Sequence, residues 1–201
     1  MRMMRTGMMM SLDELRKPLN AREIEFRIQS VNAYGKATIL AYKDARADMT
    51  RLDDVCGVLG WKREHLNNNA NCIVSIWDAD NKHWVSKEDT GTESNTEKAK
   101  GLASDSFKRA CFNLGIGREL YDYPLIQIQL NGTGDGNQDT KWTDEWVKKG
   151  KSGKPQTLWA LQLKSWKWYS EFTDNKLSYL VCKDTKGVIR WTHGKRKEVV
   201  E

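Results

Sequence analysis

Two cations in the middle of a core-building segment pose the first chemical question. In Ser104–Pro124, SDSFKRACFNLGIGRELYDYP, Lys108 and Arg109 interrupt a run of apolar positions. Ammonium and guanidinium groups neutralise phosphates and release counterions, which gives affinity for nucleic acid without dependence on base sequence. Lys98 and Lys100 precede the pair on the same predicted helix, and Arg118 follows it. Arg27 and Tyr42 lie nearer the N-terminus, on a pair of predicted strands, and aromatic rings near a basic groove can stack on bases. The same residues also read as a solvated helix face and as sheet packing. The residue pattern alone leaves these readings open and stops at a possible nucleic-acid binder.

Other chemistries find less support. Asp53 and Asp54 in LDD, and Asp78 and Asp80 in DAD, offer paired carboxylates that suit Mg²⁺. The first pair falls on the polar face near a helix end and the second in a hairpin turn, where Asp is favoured for its own reasons. A Mg²⁺-dependent nuclease stays as a minor alternative. GIGRELY has the glycines of a phosphate-cradling loop, but such loops follow a strand and open a helix, whereas this one follows a helix. Gly115 and Gly117 therefore read as cap and turn. Cys56, Cys72, Cys111 and Cys182 form no C-x-x-C pair, and His65, His83 and His193 show no ligand spacing. No metal, disulfide or cofactor is expected. No nucleophile–base arrangement can be nominated, so an enzyme is not expected either.

These side chains must be held by elements that the patterns make legible. EIEFRIQSV alternates Ile24, Phe26 and Ile28 with polar neighbours, NAYG turns, and KATILAY returns: two strands. Asp44 can cap a helix running to about Val55. NCIVSIW and HWVSK, joined by DADNK, predict a hairpin after an extended region opened by Trp61. Ser94 and Glu97 have capping-box spacing. A long helix from about Thr96 to Leu114 follows, with Ala99, Leu102, Ala103, Phe107, Ala110, Cys111 and Leu114 on one face. Lys108 lies opposite that face and Arg109 on its flank. NGTGDGNQDT (131–140) reads as a linker. Beyond it, two β-like stretches include a hairpin about Asp184–Gly187. The first 125 residues thus read strand–strand–helix–strand–strand–strand–helix, and strands clustered with two covering helices predict an α+β domain.

The chain has 201 residues, 39% hydrophobic and 30% charged, and a net charge of +6. The excess is uneven. Residues 141–201 hold 14 Lys and Arg against 7 Asp and Glu, while residues 1–140 hold 19 against 20. Six of the nine Trp also lie after residue 140. A basic, Trp-rich end hints at an anionic partner. No apolar run reaches the ~20 residues that span a bilayer, and the basic, Met-rich start is too interrupted for a signal peptide, so a cytoplasmic protein is expected.

Two stretches narrow the reading. YKDARADMTRLDDVCGVLGWKREH (42–65) and EKAKGLASDSFKRACFNLGIGRELYDYP (97–124) together resemble the Rad-fifty-two superfamily of single-strand annealing proteins, most of all its bacteriophage branch of Sak-type recombinases. The order also matches: hairpin, helix ending before Gly-Trp, strands, the Ser-Asp-x-x-Lys-Arg-Ala helix and its Gly-x-Gly-Arg-x-Leu-Tyr exit. The resemblance covers residues 22–125 and leaves 131–201 uncovered.

It implies an antiparallel β-sheet packed by a long helix, a β-β-β-α core that assembles into rings or helical arcs. Such proteins hold single-stranded DNA in a basic groove, backbone inward and bases outward, and anneal complementary strands without ATP. Carried over by position, Lys108 and Arg109 line the groove, with Arg27 and Tyr42 contributing from the first hairpin, whose turn is longer here. Eukaryotic members carry another basic residue one helical turn later, where this chain has Phe112 and Asn113. Lys98, Lys100 or Arg118 must then supply part of the charge.

Composition and the resemblance together divide the chain into a flexible or docking segment (1–21), an annealing core (22–130) that the resemblance supplies, the Gly/Asn/Asp-rich linker (131–140) and a basic, Trp-rich β-containing region (141–201). That last region is expected either to contact a second strand or duplex, to pack on a neighbouring copy, or to dock a host single-strand-binding protein. A phage exonuclease is a further expected partner, and the cell is a bacterial host. The rival reading is a protein that binds and protects single strands without annealing them.

Overall fold

The computed structural model describes residues 12–92, 98–130, 146–149, 151–158 and 161–196. The Met-rich start, Ser94, Glu97 and the expected linker lie outside the described residues. In chain order the elements are β1 (Ile24–Val31), β2 (Lys36–Lys43), α1 (Ala45–Cys56), β3 (Trp61–Leu66), β4 (Asn71–Asp78), β5 (His83–Thr90), α2 (Lys98–Leu114), β6 (Ile126–Gln129), β7 (Val147–Lys149), β8 (Pro155–Thr157), β9 (Lys167–Thr173), β10 (Lys176–Lys183) and β11 (Ile189–Gly194). The strands form sheets β1-β2-β6, β3-β4-β5, β7-β8 and β9-β10-β11. The fold class is α+β, with antiparallel pairing and two α-helices among the described residues. The chain divides into two compact units, residues 1–19 with 43–118, and residues 20–42 with 119–201.

In the first unit, Asp44 caps α1, its carboxylate accepting from the Arg46 amide. This satisfies one of the donors that a helix N-terminus leaves unpaired. Leu52 and Val55 project from α1 into the core. The meander β3-β4-β5 offers Cys72, Val74 and Ile76 on alternate positions of β4, and these bury against Phe107, Ala110 and Cys111 of α2. β3, β4, β5 and α2 follow one another in the chain within this unit. Gly91 permits an unusually close approach: a Cβ there would stand 2.6 Å from the Ser106 amide nitrogen and 2.8 Å from the Leu102 carbonyl. From Leu12 onward the N-terminal segment packs on α1, with Leu15 buried and Arg51 donating to the carbonyls of Glu14 and Lys17.

The largest fully buried side chain among the described residues is a lysine. Lys43 ends β2, pairs with Asp48 of α1 and donates to the Ile116 carbonyl at 2.7 Å, its Nζ lying 3.9 Å from the centre of the Phe112 ring. Gly117, at φ +74°, makes room for it; a Cβ there would meet Lys43 Cδ at 2.9 Å. The Gly-x-Gly exit from α2 is therefore a cap and a turn, and it shapes the lysine's slot. Burial pushes the Asp48 carboxyl up to about 6, against the opposing pull of Lys43.

In the second unit, β1, β2 and β6 turn Ile24, Phe26, Ala37, Ile39, Ile126 and Ile128 inward at a period of two. Phe26 stacks on Trp168 of β9, ring centres 3.7 Å apart and nearly parallel. The Ala21 amide donates to Ser170 Oγ in the same strand. A chain ended after Leu130 strips Phe26 of that ring. The expected product aggregates, read by solubility and melting; a soluble, cooperatively melting fragment would instead support an autonomous 22–130 domain.

Candidate nucleic-acid interface

Lys108 and Arg109 are neighbours in sequence but serve different edges of α2. Successive residues on a helix point about 100° apart. Lys108 faces the start of α1. The Asp44 carboxyl is held low first by its hydrogen bond from Arg46, and the charge of Lys108 adds to the effect. Lys108 also pulls against the burial that raises Asp48. It makes no ion pair with a described residue. Arg109 turns the other way, Nε 3.5 Å from Asp89 Oδ1 on β5, with the arginine side chain 42% exposed. Asn113 holds the other oxygen of Asp89 at 3.2 Å and the Glu88 carbonyl at 3.0 Å. One of the two expected phosphate-binding groups is thus uncommitted, and the other is already balanced by a carboxylate.

Arg118 is spent differently. Its Nη2 donates to the Phe112 carbonyl at 2.8 Å and the Asn113 carbonyl at 3.3 Å. These are among the carbonyls that a helix C-terminus leaves unpaired, and a cation there also suits the helix dipole. Lys98 and Lys100 fall on the first turn of α2, and their side chains lie outside the described part.

Arg27 and Tyr42 do meet. The guanidinium carbon lies 4.5 Å from the centre of the Tyr42 ring, and the Tyr42 hydroxyl donates to Glu25. All three lie on the face of the β1–β2 hairpin opposite Phe26 and Ile39. This pair belongs to the second unit, and Lys108 and Arg109 to the first.

The acidic pairs have structural employment. Asp53 accepts from the Trp61 indole at 2.7 Å, and Asp78 accepts from the amides of Asp80 and Asn81 and the Asn81 side chain. Those bonds hold the Asp78 carboxyl below its ordinary value. Among the described residues no group of three or more His, Cys, Asp or Glu could hold a metal ion, and no helix is long and apolar enough to cross a membrane. Cys72, Cys111 and Cys182 are buried free thiols, and burial pushes Cys72 up to about 11.

An aromatic pair goes beyond what the sequence pattern singles out. Trp77 and Trp84 stand directly opposite each other in the β4–β5 hairpin, edge to face at 5.4 Å, with Lys62 Nζ 4.6 Å from the Trp84 ring centre. The rings are 39% and 37% exposed. Counting outward from the DADNK turn places them in register, and that count is the signal in the sequence that points to them.

No family profile matches the chain. It is 30% identical over 137 residues to the single-stranded DNA-binding protein DdrA of Deinococcus radiodurans, covering 67% of this chain and 65% of that protein. It is 35% identical over 98 residues to the protein of the same name from Deinococcus deserti, covering 48% of each. The chain thus spans about two thirds and about half the length of these curated relatives.

Proposed function

We propose that this protein binds single-stranded DNA and anneals complementary strands as a homo-oligomer, without ATP and without making or breaking a covalent bond. The observation that carries strand binding is the similarity to two proteins named for single-stranded DNA binding; annealing is the further step of this reading. The geometry supports it with an uncommitted cation, Lys108, on α2 and a preformed guanidinium–ring pair, Arg27 and Tyr42, on the first hairpin. Contacts of this kind hold the backbone and leave base edges unread, which pairing of arbitrary sequences requires. Repetition around a ring or arc multiplies a modest charge per copy into a continuous track. The finer placement, among Sak-type phage recombinases of the Rad-fifty-two superfamily acting in a bacterial cytoplasm beside an exonuclease or host single-strand-binding protein, rests on the two motif stretches and the strand-strand-strand-helix order.

The rival reading, binding and protection alone, is close to what the relatives' names describe. Mixing complementary labelled oligonucleotides with the protein separates the two. Duplex forming faster with protein than without, from a species that light scattering shows to be a large oligomer, is the expected result. Tight strand binding with no acceleration assigns protection instead. No strand binding overturns both.

A further inference from the structure

We propose that the outer face of β9-β10-β11 is a second site for single-stranded nucleic acid, separate from α2 and the first hairpin. The inference rests on the strand-binding reading above and locates a second contact.

The register of this sheet sets two lysines against each other. Lys183 on β10 pairs directly with Lys167 on β9. Like charges at directly opposed positions repel and destabilise a sheet. Both are exposed, and neither makes an ion pair with a described residue. The acid beside them in the chain, Asp184, is committed: it is buried, paired to Arg190 at 2.6 Å, and accepts from the amides of Lys186 and Val188. An unrelieved lysine pair held in register is a place where an anion adds stability.

Rings adjoin the cations on the same face. Tyr169, two residues after Lys167, is 45% exposed and meets Tyr179 edge to face at 6.4 Å. Arg196 lies over Tyr169, its guanidinium carbon 5.5 Å from the ring centre. Glu171 fixes this arrangement, accepting from the Tyr169 hydroxyl at 3.0 Å and from Arg196 Nε at 3.3 Å. Phosphate-binding cations beside a stacking platform are the recurrent construction of single-strand sites. A planar guanidinium over the ring extends that platform, because bases stack on guanidinium planes as they do on aromatics. The occupant is a single strand: a duplex keeps its bases stacked inside and offers the tyrosine nothing. Lys167, Lys183 and Arg196 against Glu171 leave the face net positive, in the part of the chain that holds the basic excess.

The opposite face of the same sheet is already used, since Trp168 stacks on Phe26 there. The proposed surface is therefore the solvent side of a sheet whose inner side is fixed. An annealing protein with two strand sites on each copy can hold one strand and sample another.

Fluorescent oligothymidylate, which cannot self-pair, titrated into the full chain tests this. Wild type should bind in two phases. Lys167→Gln with Lys183→Gln should weaken the second phase by about 25-fold at 0.1 M salt and reduce its salt slope by about 1.4, from ~0.7 per phosphate, while the first phase stays unchanged. Tyr169→Ala should weaken the second phase as well, and Lys108→Ala only the first. Melting no lower than that of wild type, and higher in the lysine variant where the repulsion is gone, establishes that the exposed-site variants are folded. A second phase unaltered in the lysine variant, or one displaced by duplex as readily as by single strand, overturns the inference. Wild type binding in a single phase overturns it while leaving the strand-binding function standing. Wild type binding nothing overturns both.

Discussion

Lys43→Met is expected to destabilise the protein by about 3–5 kcal/mol at neutral pH, the usual cost of removing one partner of a buried ion pair. The ammonium is the counter-charge for Asp48, which is fully buried in the first unit, one of its carboxylate oxygens having no hydrogen-bond partner among the described residues. Without Lys43 the carboxylate must be buried uncompensated or take up a proton. The double variant Lys43→Met with Asp48→Leu should return to wild-type stability or exceed it, because apolar side chains of similar volume avoid both desolvation penalties. Urea unfolding of the three proteins measures this; a double variant no better than Lys43→Met would mean the pair is needed for the fold itself.

The pH dependence follows from the same pair. Burial raises the Asp48 carboxyl to about 6, above the ordinary value of 3.8. Between these values the folded chain binds more protons than the unfolded chain. Stability therefore falls as pH rises through that window. In Lys43→Met the lysine's opposing pull is gone, so the window should extend to higher pH. In the double variant this contribution should vanish. Unfolding free energies measured across the acidic to neutral range give the comparison.

The hairpins and the α1 cap are legible because each is a local signal: alternation in EIEFRIQSV and NCIVSIW, and an Asp before a helical run. The buried lysine is not. Lys43 follows KATILAY at the end of a strand, where a lysine reads as solvated, and nothing nearby in sequence announces that Asp48 or the Ile116 carbonyl will receive it. Its one trace is Gly117, which reads as a turn and gives no sign of the side chain it accommodates. The Lys167–Lys183 pairing is hidden for another reason. The register of β9 and β10 shifts between Leu177 and Tyr179, so counting from the turn gives the wrong partners. Trp77 and Trp84 flank a hairpin with no such shift and pair by counting. The divergence of Lys108 and Arg109 is half visible: helical periodicity separates them, but only Asp89 on a neighbouring strand shows that one of them is balanced.

That asymmetry decides how substitutions on α2 should behave. Lys108→Ala removes an uncommitted cation, so strand affinity should drop about fivefold at 0.1 M salt, and the salt slope by ~0.7, the amount set by one phosphate left unneutralised. Arg109→Ala acts on two partners. It removes a cation and frees the Asp89 carboxylate, which then repels the strand, so its effect on affinity should equal or exceed that of Lys108→Ala even though the arginine starts out paired. Asp89→Asn separates these effects: it should tighten strand binding by releasing Arg109 from its counter-charge. Because every copy in an assembled array is deprived of the same two cations, Lys108→Ala with Arg109→Ala should abolish annealing while light scattering still finds the wild-type assembly. Strand pairing at wild-type speed in that double variant would remove α2 from the interface. Weaker binding in Asp89→Asn would show that the arginine's role is to hold β5 against α2, and would leave Lys108 as the residue of the pair that meets phosphate.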